Sequence, residues 1–153
     1  MGDNGKSDQI TTDLTTQELA ARLRLSATRL ARRLRTEAGS PLTPTQLSAL
    51  AVIDRHGPLT LGALAERERV APPTVTSVVA KLEAEALVAR TSDPNDRRVT
   101  RVTTTSAGRH LLEEHRARKT SWLTTRLQNL EPEQRDRLAD ALDALDALTE
   151  QPG

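Results

Sequence analysis

Thr74, Thr76, Ser77 and Lys81 are the residues of this chain whose types and spacing could do recognition chemistry. Hydroxyls bond base edges or phosphates, threonine methyls pack against thymine methyls, and a lysine neutralises a phosphate. All four lie in one short amphipathic stretch. Val75, Val78, Val79 and Leu82 fall at i, i+3, i+4 and i+7, the apolar side of a helix, so the polar four stay on the other side. Pro72 and Pro73 suit the first turn, where no backbone N–H is needed. No bulky acid occupies the early exposed turns. A helix from Pro73 to Glu85 with such a face can enter a DNA major groove, with Lys81 as a phosphate contact. Read alone, it is more simply an amphipathic helix with a solvated face. The flanking segments decide for DNA.

A second cluster lies at Arg97 and Arg98, in the turn-rich tip Ser92–Arg98. The tip separates two β-branched runs, Leu87–Thr91 and Val99–Thr103, which predict a hairpin. Arg98 at the tip would reach a minor groove, where negative potential is enhanced at A·T-rich sequence. Arg97 and Arg90 are phosphate candidates. Catalytic chemistry finds little to work with. The chain has no cysteine, no Gly-rich phosphate loop and no ordered Ser/His/Asp set, so an enzyme is not expected. His110 and His115 are five residues apart and do not share a helix face, so no metal or cofactor is expected either.

The elements that must position these residues follow from caps and stripes. Thr15 and Glu18 form a capping box for a helix to about Ala38, stopped by Gly39. Thr43-Pro44-Thr45-Gln46 opens a second helix, with Leu47, Leu50, Ala51 and Ile53 inward. His56-Gly57-Pro58 ends it, with Gly57 expected in a left-handed cap. Leu59-Thr60 could be one strand rung, with Thr60 capping a third helix from Leu61 to about Arg69. The turn at Val70-Ala71 then leads into the helix described first, and two short helices so joined make a helix-turn-helix. After the hairpin, Thr105 or Ser106 caps a long helix to about Asn129. Glu131-Pro132-Glu133 begins the last, with Leu138, Leu142, Leu145 and Leu148 as its stripe.

Composition bounds the rest. The 153 residues make one domain's worth of chain, with 36% hydrophobic residues but only one aromatic, Trp122. A core of Leu, Val, Ala and Ile is lean, so leucine stripes on the first, fifth and sixth helices imply a partner chain. No apolar run approaches the ~20 residues of a membrane span, and a cytoplasmic protein is expected. Residues 1–13 read as a disordered lead-in. Net charge is +1, which says little, but Arg97–Arg101 is locally basic and the last helix is acidic.

The order of elements, and above all Asp93-Pro94-Asn95-Asp96-Arg97-Arg98-Val99 followed by Val102-Thr103-Thr104-Thr105-Ser106-Ala107-Gly108, resembles the MarR family of winged-helix transcriptional regulators. Pro73-Thr74-Val75-Thr76, Lys81-Leu82-Glu83, Pro44-Thr45-Gln46-Leu47 and Leu64-Ala65 also fit. The resemblance implies a mostly α fold with a small β-wing. Residues 41–104 would form the DNA-binding lobe, and residues 14–40 and 105–150 a helical dimerisation region. The N- and C-terminal helices would intertwine in a homodimer that reads a pseudo-palindromic operator on double-stranded DNA, most simply as a repressor. Family analogy also pairs Asp96 with the Arg98 side chain to aim it. A small aromatic or anionic effector could act on the dimer, and Arg22, Arg29, Arg32 or His56 could supply charge to it. Ala86 stands where the family usually has Gly, so a positive φ there would cost roughly 1 kcal/mol. Ser77 stands where a long basic side chain is frequent. A weakly specific architectural DNA binder and a winged helix used for protein interaction are the other classes this pattern allows.

Overall fold

Threonine caps set the frame. The computed structural model describes residues 14–150, so the expected lead-in at 1–13 lies outside the described residues. Thr15 and Glu18 cap each other at the start of α1 (Thr16–Ala38), with Glu18 N–H donating to Thr15 Oγ1 at 3.2 Å. Thr43 and Gln46 make the full capping box of α2 (Pro44–His56). Thr60 caps α3 (Leu61–Glu68) and Thr105 caps α5 (Ser106–Gln128), each accepting an N–H three residues on at 3.1 Å. Each cap satisfies an N–H that the helix ladder leaves over. Helix α4 (Pro72–Ala84) has no side-chain cap and needs less of one. Pro72 and Pro73 carry no N–H, and Thr74 donates to the Ala71 carbonyl at 3.0 Å. Helix α6 (Pro132–Glu150) completes the set.

The strands are β1 (Leu59–Thr60), β2 (Val88–Ser92) and β3 (Thr100–Thr104), in the antiparallel order β1-β3-β2. Leu59 faces Val102, and Arg90 faces Val102 from the other side. Both hairpin strands begin and end one residue later than the sequence suggests. Pairing of Ser92 with Thr100 carries the ladder one rung into the expected tip.

The described residues fall into two units, divided after Thr36. In the first, α1 exposes Leu19 at 54% and Leu30 at 44% of their surface. In the second, the core gathers Leu50 and Ile53 of α2, Leu64 of α3, Val79 and Leu82 of α4, Val102 of β3 and Leu112 of α5. This small core holds the helix-turn-helix against the sheet. Gly108 lies where α5 leaves β3, with its backbone close against the Leu87 carbonyl. Helix α6 buries none of its residues, and Leu138, Leu142, Leu145 and Leu148 are all exposed.

Three turns correct or extend the sequence reading. Gly57 ends α2 in an extended conformation (φ −67°, ψ 160°), not the left-handed one expected. Its N–H still closes on the Ile53 carbonyl at 2.7 Å, so the helix end is satisfied without a left-handed residue. The turn between α3 and α4 has no Gly because Arg69 itself takes φ 54°. Ala86 does adopt the positive φ, at 57°. That geometry is held by Ala86 N–H to Glu83 O at 2.9 Å, Leu87 N–H to Leu82 O at 2.9 Å and Thr105 Oγ1 to Ala86 O at 2.7 Å. A Cβ is disfavoured in that region and glycine is not, so Ala86→Gly should raise stability by about 1 kcal/mol. Chemical denaturation with an unchanged slope and a higher midpoint is the expected result. A lower midpoint would contradict it.

Candidate nucleic-acid interface

Burial on α4 separates the two faces that the spacing implied. Val75, Val79 and Leu82 are buried, while Pro73, Thr74, Thr76, Ser77 and Lys81 are exposed. The Thr76 hydroxyl donates to the Pro72 carbonyl at 3.0 Å, which leaves its lone pairs and methyl outward. Among the described residues no ion pair engages Lys81, Arg97 or Arg98, so these cations are available to phosphates. The first acid on the helix is Glu83, beyond the early turns.

The structure brings a second element to this face. Thr43, Thr45 and Gln46 at the start of α2 join Pro73, Thr74, Ser77 and Lys81 around an open groove of about 490 Å³. In the sequence, Thr43 to Gln46 read as a helix start and as part of the family resemblance, not as a face for DNA. Their place beside α4 depends on how α2 and α4 pack across the core, and no local signal encodes that. Hydroxyls, a lysine and a helix N-terminus without an acid in its first turn give this groove a character suited to anions.

The wing presents Arg97 and Arg98, both exposed, on the loop between β2 and β3. Asp96 is tied to the backbone of the same loop. Its Oδ1 accepts the main-chain N–H of Arg98 at 3.0 Å, so the carboxylate shapes the loop that carries the arginine. Arg90 is likewise committed. Its Nε donates to Glu83 Oε2 at 2.9 Å, tying β2 to the end of α4. Both side chains are about a third or more exposed, so this pair adds little stability.

Asp93 was named in the sequence only as part of a motif, yet it is the buried carboxylate of the wing, 6% exposed. It bonds the Arg101 guanidinium and accepts main-chain N–H groups from Asn95 at 2.8 Å and Asp96 at 3.2 Å. The Arg101 hydrogen bond, then the one from Asn95, holds its pKa below the ordinary carboxylate range, against the opposing effect of burial.

At the far end of the same unit, His115 is buried with Nδ1 at 3.1 Å from the Gly39 carbonyl. That contact requires the proton on Nδ1, which leaves Nε2 facing no partner. Arg118 bonds the Ala38 and Gly39 carbonyls beside it. Burial, then repulsion from Lys119 and Arg118, pushes the imidazole pKa below 6.5, although the Gly39 carbonyl favours the charged form. The folded state therefore binds fewer protons than the unfolded state. Its contribution is complete above pH 6.5 and is lost as pH falls through the depressed folded value. The thermal midpoint should drop as pH falls below 6.5, and His115→Gln should flatten that drop. An equal slope in the variant would remove His115 as its cause.

A helix-turn-helix followed by a two-stranded wing, with a hydroxyl-and-lysine face on the second helix and arginines at the wing tip, defines a winged helix-turn-helix protein. The sequence profile of the MarR family matches residues 42–100. An uncharacterised helix-turn-helix-type transcriptional regulator of Mycobacterium leprae is 40% identical over 136 residues, covering 88% of this chain and 95% of its own. The helix-turn-helix-type transcriptional repressor MdtR of Bacillus subtilis is 42% identical over 67 residues, 44% of this chain and 43% of its own. A crystal structure of a Pseudomonas aeruginosa protein superposes with a TM-score of 0.80 at 36% identity, covering 91% of this chain and all of the other. The chain belongs to the MarR family, and the relatives it matches are named as transcriptional regulators.

Proposed function

We infer that this protein is a sequence-specific transcriptional regulator that binds a pseudo-palindromic operator as a homodimer and represses the genes beside it. The observation that carries this reading is the exposed face of α4, acid-free over its first turns, with Thr74, Thr76, Ser77 and Lys81 beside the α2 N-terminus. Helix α4 would lie in the major groove, and Arg97 and Arg98 would reach the adjacent backbone and minor groove. The exposed leucines of α1 and α6 support the dimer, since large apolar side chains in rows seek a partner. Two copies would set half-site centres about one helical turn, ~10 bp, apart. The repressor name of the Bacillus subtilis relative supports repression. Release by a small aromatic or anionic effector belongs to the same reading, as a population shift toward a state of lower DNA affinity. Among the described residues no helix is long and apolar enough to cross a membrane, and a cytoplasmic place fits this role.

The test is a titration against the intergenic DNA upstream of the protein's own gene, with shuffled duplex as competitor. Tight binding that resists competitor and weakens steeply with salt is the expected result. Equal binding to shuffled DNA would favour an architectural role, and no salt-dependent binding a protein-interaction module. A monomer by light scattering at micromolar concentration would rule out the two-fold arrangement.

A further inference from the structure

The sequence shows Arg97, Arg98 and Arg101 as one basic strip, and the structure divides it. Arg97 and Arg98 are exposed at the wing tip without ion pairs among the described residues. Arg101 remains partly exposed, at 39% of its side-chain surface, but its guanidinium is committed to partners within the protein. Its Nε bonds the Asp93 carboxylate and its Nη1 lies 3.5 Å from the Pro58 carbonyl, at the corner before β1. Asp93 in turn holds the N–H groups of Asn95 and Asp96 with its other oxygen. Asp93 N–H donates to Val99 O at 2.8 Å, and Val99 N–H to Asp96 O at 2.9 Å. One buried carboxylate thus joins the wing loop, β3 and the β1 corner. It has three donors and is fully satisfied, which is the condition for a buried charge to hold a single geometry.

We propose that Asp93 and Arg101 are positioning residues for DNA binding, which fix the wing loop so that Arg97 and Arg98 meet DNA without further ordering. The inference rests on the reading that the wing tip contacts DNA. A loop of residues 93–99 without this brace samples many conformations. Binding then has to restrict them, and the ordering cost is taken from affinity. Arg101 contributes through Asp93 and not through a phosphate of its own.

The experiment is a set of DNA titrations with the full chain. Asp93→Asn keeps the side-chain shape but turns an amide toward Arg101 or gives up an acceptor. Arg101→Lys keeps the positive charge but loses the planar guanidinium whose Nε meets Asp93 while Nη1 faces the Pro58 carbonyl. Each is measured alone and in an Arg97→Ala/Arg98→Ala background, at a temperature where circular dichroism shows all variants folded. Each single change should weaken binding by about tenfold, as the tip must now be ordered on contact. In the background lacking both tip arginines the same changes should cost less than about twofold, because nothing is left to position. Equal losses in both backgrounds would overturn the proposal, since a phosphate contact by Arg101 or a general loss of structure acts independently of the tip. Undiminished binding by Arg101→Lys, with Arg97→Ala/Arg98→Ala impaired, would also overturn it. If Arg97→Ala/Arg98→Ala binds as wild type, the DNA reading of the wing fails by itself and the positioning role falls with it. Should Asp93→Asn not fold, Arg101→Lys decides alone.

Discussion

Arg98→Ala should bind the operator one to two orders of magnitude more weakly, a loss of ~1–3 kcal/mol for a removed groove contact. The side chain is exposed, and among the described residues it has no ion pair to lose. Its main-chain N–H keeps the bond to Asp96, because alanine retains that N–H. The loop should therefore keep its shape, and stability should stay within about 0.5 kcal/mol of wild type. A minor-groove arginine is charge-assisted and lies in a narrow, electronegative slot, so its removal outweighs that of any single hydroxyl on α4. The check pairs a DNA titration at fixed salt with a thermal melt. A variant that binds as well as wild type would remove Arg98 from the interface, and one that unfolds would show a structural role instead.

Gly108→Ala should be the most destabilising of the small substitutions. A Cβ there would lie 2.2 Å from the Leu87 carbonyl oxygen and 2.8 Å from the Thr104 methyl. Alanine favours helix over glycine by about 1 kcal/mol, so propensity alone would predict a gain. The clash is with backbone, however, and Leu87 O also accepts the Thr105 N–H at 3.1 Å. Relief requires moving α5 away from β2 and β3, which disturbs Thr104, Val88 and the Thr105 cap together. Overpacking typically costs about 1–3 kcal/mol, and the close backbone approach puts Gly108 at the upper end, so the sign is set by the clash. At roughly 2–4 °C per kcal/mol, the thermal midpoint should fall by several degrees. An unchanged midpoint would mean that α5 can shift freely against the sheet.

What the sequence made legible was local. Thr15 with Glu18 and Thr43 with Gln46 are three residues apart, so the caps can be read from spacing. Ala86 drew notice because it stands where the resembled family usually has Gly, and the structure has a positive φ there. The polar face of α4 was legible because its period is helical. What escaped was set by packing. Thr43 and Thr45 lie some thirty residues from α4 in sequence, and only the core brings them to its groove. Asp93 and Arg101 are eight residues apart across a hairpin, and their pairing depends on which way each strand residue points. His115 and Arg118 meet the Gly39 carbonyl from nearly eighty residues away. Gly57 misled because glycine permits a left-handed cap without requiring one.

Trp122 is the only aromatic residue among Trp, Tyr and Phe in the chain. It is half-buried on α5, with the Arg126 guanidinium 5.4 Å from its ring centre and its indole N–H without a hydrogen-bond partner. The near-ultraviolet absorbance and intrinsic fluorescence of the protein therefore come from one position. Every change in the tryptophan emission on adding a small molecule or a duplex, once the added molecule's own absorption is subtracted, reports the surroundings of this one position on α5. The chain carries its own site-specific optical probe, and no label has to be introduced to watch that helix.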